Sequence, residues 1–182
     1  LQLEDEPAPM SGPGATERVL VLDEAKTFFT FVNLDSEPVP SLLRGFSAPV
    51  ALDDGLDDAA LLTLLAHDTD PFNRWEAGQR LALRRLLAAL QAEVPEPLDE
   101  AFVAAMRAVL RHPALDPAFK ALVLTPPGEG YVAEQLASVD PQKIHAAHRH
   151  LCSELAARLH EDWAWAFDAH QVSEGYAATP AQ

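Results

Sequence analysis

The sequence predicts a mainly α-helical fold, an antiparallel helical array or bundle preceded by a small β-hairpin or partial β-sandwich. Three observations carry this expectation. Asp-Pro occurs at Asp70-Pro71, Asp116-Pro117 and Asp140-Pro141, each time followed by apolar residues at three- and four-residue steps. Aspartate is a strong helix N-cap, and proline at the first helical position gives up an N–H that would have no partner there. Residues Arg18–Leu22 and Thr27–Leu34 are instead rich in Val, Phe and Thr, which suits strands. Between the two regimes lies Ser36–Val50, where Pro38, Pro40 and Pro49 prevent either kind of element from continuing. Leu42, Leu43 and Phe46 give this joint an apolar side that is expected to be buried.

In chain order, Leu1–Glu4 reads as a short strand and Glu6–Ala15, with three prolines and two glycines, as a loop. Arg18–Leu22 and Thr27–Leu34 flank the turn Asp23–Lys26 and are expected to pair as a hairpin. Within the second strand Phe28 and Val32 fall on one face and Phe29 and Phe31 on the other, so both faces call for cover. After the joint, Asp57 caps a helix to about His67 with Leu61, Leu62, Leu64 and Leu65 inward. Asp70 caps the next, carrying Phe72, Trp75, Leu83, Leu86, Leu87 and Leu90 and ending before Pro95. Asp99 starts a third, with Phe102, Val103, Met106, Val109 and Leu110 on one face and Pro113 as its stop. Asp116 opens a short helix with Phe119, Leu122 and Val123, and Tyr131–Ala137 forms another. The longest follows Asp140, through Ile144, His148, Leu151, Leu155 and Leu159 to about Phe167. Short connections between helices argue for antiparallel neighbours.

The composition excludes several function classes. With 182 residues and 48% hydrophobic content the chain can bury a core. A formal charge of −15 argues against nucleic acid or an anionic membrane surface as partner, because phosphate binding needs clustered Lys and Arg. No apolar run approaches the ~18 residues of a membrane span. The single cysteine, Cys152, forbids an internal disulfide and fits a reducing compartment, so a cytoplasmic location is expected. The chain opens at Leu1, without methionine and in strand-like sequence, which suits an internal piece of a longer protein.

Candidate chemistry is sparse. His145, His148 and His150 cluster, and Cys152 follows His148 by four residues, a spacing that could grip zinc from one helix face. No acidic third ligand stands at helical spacing, so a partly exposed helix face is the plainer reading. His160-Glu161 opens like H-E-x-x-H, but Ala164 replaces the second histidine and the two-histidine grip fails. Cys152 has no matching Cys-His-Asn arrangement. Asp53, Asp54, Asp57 and Asp58 lack the register of a calcium loop. Trp163, Trp165 and Phe167 could form a ligand surface or the packed end of a helix. No catalytic, cofactor-binding or metal-binding residue is assigned.

The joint then becomes specific. P-V-P-S-L-L-R-G-F-S-A-P-V, followed by D-P-F-N-R-W-E-A-G-Q at Asp70–Gln79, resembles bacterial aminopeptidase N, the zinc alanyl aminopeptidase family. The strand V-L-V-L-D-E-A-K-T-F-F-T-F and the run A-F-V-A-A-M-R-A-V-L-R-H-P-A-L-D-P-A-F-K-A-L-V-L-T-P-P are similar too, extending the resemblance from about Arg18 to Tyr176. The resemblance implies an internal fragment. Residues 1–35 would be the last strands of an Ig-like sandwich, 36–50 an interdomain joint and 51–182 the first part of a helical domain. The family's H-E-x-x-H, distant glutamate and G-A-M-E-N motifs are absent. The implied role is therefore a non-catalytic structural segment, inactive alone, of an enzyme that uses zinc to remove N-terminal residues from peptides. Its helices would help enclose the active site. Zinc would belong to the parent and not to this segment. The implied partners are the parent's remaining domains and its peptide substrates, with self-association possible through unpaired strand edges. Two alternatives stay open: a free-standing helical interaction module, and a small metalloprotein using His145, His148 and Cys152.

Overall fold

The structure, a computed structural model, describes residues 2–4 and 16–171. The proposed loop Glu6–Ala15 and everything from residue 172 onward lie outside the described residues. The chain divides into two compact units, Leu1–Pro40 and Ser41–Gln182.

In the first unit, β1 (Gln2–Leu3) pairs antiparallel with β2 (Phe31–Val32), Gln2 opposite Val32 and Leu3 opposite Phe31. Glu4 N–H donates to the Thr30 carbonyl at 3.0 Å, and Asn33 Nδ2 donates to Gln2 Oε1 at 2.9 Å. Arg18–Leu22 does not form the expected strand, and no hairpin closes around Asp23–Lys26. A strand exists only through its ladder partner. Here the partner of Phe31–Val32 comes from the beginning of the chain and not from Arg18–Leu22. Val19 is 87% exposed and Phe28 80% exposed.

The second unit is helical: α1 (Asp58–His67), α2 (Pro71–Gln91), α3 (Glu100–Arg111), α4 (Pro117–Leu124), α5 (Glu129–Glu134), α6 (Pro141–Arg158) and α7 (His160–Ala169). Five begin at an aspartate whose carboxylate accepts first-turn N–H groups. Asp57 accepts from Ala60, Asp70 from Asn73, Asp99 from Phe102, Asp116 from Ala118 and Phe119, and Asp140 from Gln142 and Lys143. Each cap satisfies donors the helix cannot satisfy itself, and the carboxylate also favours the positive end of the helix dipole. Helix α1 packs on α2 and α3, α2 on α4 and α6, α3 on α4 and α7, and α5 on α6. Phe102, Val103, Met106 and Val109 of α3 are buried among Leu61 and Leu65 of α1, Leu81 and Leu86 of α2 and Val123 of α4, the centre of the core.

Three expectations are corrected. Helix α2 turns a different face inward than its large apolar residues suggest: Arg74, Ala77, Gly78, Leu81, Ala82 and Leu86 are buried, whereas Phe72 is exposed and Trp75, Leu83, Leu87 and Leu90 are half-buried. Gly78 explains part of this. A Cβ there would sit 3.3 Å from Leu65 Cδ1 and 3.6 Å from Val123 Cγ1, so the missing side chain lets α1 and α4 approach α2 closely. The last long helix is two helices. Leu159 (φ −111°, ψ 19°) leaves the helical region, and the chain restarts as α7. Helix α2, with 21 residues, is thus longer than α6, with 18. Helix α5 starts two residues before Tyr131 and ends at Glu134, three residues short of Ala137.

Candidate functional site

The most elaborate constellation in the second unit is built by the loop at Ser41–Phe46 on the start of α2. Leu43 (φ 52°), Gly45 (φ 62°) and Phe46 (φ 57°) all lie at positive φ, around a single 3₁₀ turn at Arg44–Phe46. Glycine adopts this region freely, but Leu and Phe are strained there by about 1–3 kcal/mol each. A Cβ on Gly45 would meet nothing within 4 Å, so the backbone angle and not space is what favours glycine there. The apolar side of the joint is not buried as expected, since it is the loop's polar groups that are bonded to the start of α2: Phe46 is 72% and Leu42 41% exposed.

Hydrogen bonds hold the loop in this shape. Arg44 Nη1 reaches Asp68 Oδ1 at 2.6 Å and Ser41 Oγ at 2.9 Å, while Nη2 reaches Thr69 Oγ1 at 2.7 Å. Gly45 N–H donates to Asp70 Oδ2 at 2.9 Å, and the other oxygen of Asp70 caps α2 through Asn73 N–H at 3.0 Å. Asn73 Nδ2 donates to Ser41 Oγ at 2.9 Å and to the Leu42 carbonyl at 2.8 Å. Asp70 therefore works as a helix cap and as a loop anchor at once. Burial pushes its carboxyl up, but the N–H groups of Asn73 and Gly45, with the Arg44 charge, outweigh this and leave it below the usual range.

Beneath the loop Arg74 is buried, its Nε and Nη2 donating to the Asp68 carbonyl. Burial depresses its pKa, and the Asp68 charge opposes that shift. Arg74 Nη1 and Asp68 Oδ2 have no protein partner among the described residues, and both atoms are sealed from solvent. Both residues line a cleft of about 370 Å³ with His112, Asp116 and Phe119. A second cleft of about 340 Å³ is lined by apolar residues such as Ala88, Leu98 and Leu151 together with Arg85, Asp99 and His150.

The remaining ionic clusters brace helices. Arg80 grips Asp54 with two bonds of 2.7 and 2.8 Å. Its hydrogen bond holds Asp54 below the carboxylate range against the upward push of burial. Glu76 nearby is pushed up by burial, only partly offset by Arg80. Asp162 of α7 accepts from Arg107 Nε at 2.9 Å and Arg111 Nε at 2.7 Å, both on α3.

The residues singled out in the sequence do not converge on chemistry. His148 Nδ1 and Cys152 Sγ lie 3.8 Å apart, but His145 turns to Glu129 Oε1 at 2.8 Å and His150 to the Glu96 carbonyl at 3.2 Å. No group of three His, Cys, Asp or Glu residues able to hold a metal forms among the described residues, so the zinc of the resembled family does not fit here. Burial pushes the Cys152 thiol up, away from the reactive thiolate. His160 and Glu161 are exposed, Asp57 caps α1, and Asp54 and Asp58 are taken up in ion pairs with Arg80 and Arg84. Trp165 is 37% exposed, with the Arg111 guanidinium 4.2 Å above its ring and Lys120 Nζ at 6.0 Å. Phe167 is exposed. Sequence reasoning missed the roles of Asp68, Asn73 and Arg74. D-P-F-N-R-W was legible as a helix start, yet three polar residues so close to it were a signal that this end is anchored.

Residues 58–182 match the family described as a domain of unknown function, DUF3458_C, with ARM repeats. The chain belongs to this family. Residues 4–55 match a companion domain of unknown function, DUF3458, with an Ig-like fold. The chain is 39% identical over 142 residues to aminopeptidase N of Caulobacter vibrioides, a match covering 78% of this chain and 16% of that protein. It is 35% identical over 159 residues to aminopeptidase N of Escherichia coli, covering 86% and 18%. The crystal structure of Legionella pneumophila aminopeptidase A in complex with aspartic acid superposes with a TM-score of 0.69 at 28% identity, over 82% of this chain and 18% of that one. The chain thus spans 16–18% of the length of these curated relatives. No helix among the described residues is long and apolar enough to cross a membrane.

Proposed function

We propose that this chain is a non-catalytic structural segment of a cytoplasmic zinc aminopeptidase that removes N-terminal residues from peptides. The observation that carries the reading is the 34–39% identity to aminopeptidase N from three bacteria over 78–86% of this chain. The geometry suits such a role, since Asp57, Asp70, Asp99, Asp116, Asp140 and Asp162 are taken up by caps, ion pairs and the anchored loop. In this reading residues 1–35 belong to a β-sandwich, 36–50 join it to the helices, and 51–182 begin the helical domain that encloses the active site. Zinc is then bound elsewhere in the parent, with water activation and the catalytic base supplied there. The isolated segment is inactive, and its unpaired strand edges favour self-association.

The test uses the full-length protein. Reading its coding sequence should reveal H-E-x-x-H upstream of Leu1. The purified enzyme should release the N-terminal residue from short peptides, lose that activity to a chelator and regain it with zinc. An upstream sequence without the motif, or activity indifferent to chelation, would sink the reading.

A further inference from the structure

The loop Ser41–Phe46 is opposed from within by two independent costs. Leu43 and Phe46 hold positive φ, where their side chains strain the backbone as Gly45 does not. Beneath the loop Asp68 and Arg74 are buried, and their Oδ2 and Nη1 atoms are sealed without a protein partner among the described residues. A charged group sealed in this way loses hydration that no bond replaces. Polar contacts hold the loop down against both costs. Arg44 reaches Asp68 and Thr69, Gly45 N–H reaches Asp70, and Asn73 reaches Ser41 and the Leu42 carbonyl. Burial adds little, since no residue from Ser41 to Phe46 is fully buried. The helices do not need these contacts. The Asn73 N–H bond to Asp70 Oδ1 that caps α2 involves no atom of the loop, and neither does the Asp68 N–H bond to the Leu64 carbonyl that ends α1. An opened loop would return Leu43 and Phe46 to negative φ and admit water to Asp68 and Arg74, with both helix ends intact.

We infer that Ser41–Phe46 is a strap that opens as one unit while the helices stay folded, with Arg44 as its latch. Arg44 holds this position because its guanidinium alone bonds to Ser41, Asp68 and Thr69. Such opening does not depend on the aminopeptidase reading. Within that reading the strap lies in the joint at 36–50, so the latch sets whether that end of the joint is fixed to α2 or free.

The test is hydrogen exchange of the full-length protein, resolved to single amides by mass spectrometry. Gly45 N–H reports on the strap, and Val109, in the core face of α3, on the helices. Local opening predicts exchange at Gly45 at least about a hundredfold faster than at Val109, and insensitive to low urea that speeds Val109. Equal rates with equal urea dependence overturn the inference, because the loop then opens only with the helices. Exchange of Gly45 at the unprotected rate overturns it too, because the strap then never closes. Arg44→Ala should speed Gly45 at least about tenfold and leave Val109 within about twofold. An unchanged Gly45, or both amides speeded alike, overturns the latch. The strain is tested at one position. Gly45 should exchange at least about threefold more slowly in Leu43→Gly than in Leu43→Ala, because glycine alone is unstrained at φ 52°. Equal rates or the reverse order overturn the inference, and the comparison of Gly45 with Val109 in the unmutated protein stands where a variant does not fold. No readout involves hydrolysis. An inactive protein whose strap opens therefore refutes only the aminopeptidase reading, and an active one whose strap does not open by itself refutes only this inference.

Discussion

Two stretches of the chain with similar apolar content end up in opposite conditions. Val19, Val21, Leu22 and Phe28 of the first unit are all more than two-thirds exposed, whereas Phe102, Val103, Met106 and Val109 of α3 are buried almost completely. The difference lies in where each kind of element finds its partners. A helix completes most of its hydrogen bonds within a dozen residues and needs only one apolar stripe covered. A strand needs a neighbour for its backbone and cover for its side chains, and both come from elsewhere. In the described residues of the first unit the neighbour is two residues of β1. Hydrophobicity that lacks a partner element remains surface.

That contrast can be broken first at its strong end. Phe102→Ala removes a ring with no exposed area and should destabilise the helical unit by about 3–5 kcal/mol, read from the shift of the urea midpoint by helical circular dichroism. Asp162→Ala should cost about 1–3 kcal/mol in the same assay. It leaves Arg107 and Arg111 facing each other without the carboxylate that joins them. Loss of less than half a kcal/mol would mean that both arginines find other partners. Asp70→Ala deletes the α2 cap and the Gly45 anchor together and should cost about 1–2 kcal/mol. It should also raise hydrogen exchange at Gly45 more than at the distant caps.

Acid should act on the helical unit through several smaller contributions. The carboxyls of Asp54, Asp70, Asp99 and Asp162 are held below their ordinary range by N–H donors and arginines that outweigh or offset burial. A folded pKa below the unfolded one means stability that is complete above the unfolded value, about 3.9, and lost as pH falls through the folded value. Thermal midpoints should therefore hold above about pH 5 and drop below about pH 4. A midpoint unchanged to pH 3 would contradict these assignments. The smallest effect belongs to the exposed end of the contrast: Phe28→Ser should change stability by less than about 0.5 kcal/mol. A larger loss would show that Phe28, 80% exposed here, is covered in solution.

Locality also decided what could be read in advance. All five aspartate caps were legible, because a cap and the N–H groups it serves lie within four residues. The inward face of α3 was legible because its apolar residues form one unambiguous stripe. Helix α2 misled because two patterns compete along it. The large residues Trp75, Leu83, Leu87 and Leu90 were counted, while Ala77, Gly78 and Ala82, whose small size permits the close contact, were not. The pairing of β1 with β2 depends on residues some thirty positions apart, and α7 is tied through Asp162 to arginines about fifty positions upstream. The anchored loop falls between these cases. Its prolines and glycine marked a joint, but Arg44 meets Asp68 only once the chain has folded back 24 residues.

The break at Leu159 has a mechanical meaning. A continuous helix transmits its heading through its own backbone. Helix α7 restarts after a residue outside the helical region, and its orientation is fixed by Asp162 clasping two arginines of α3 and by Trp165 lying under one of them. The heading of α7 is therefore held by α3 as well as by α6, like a rudder held by its tiller. A charge change at a single position, Asp162, would release that steering while leaving α6 in place.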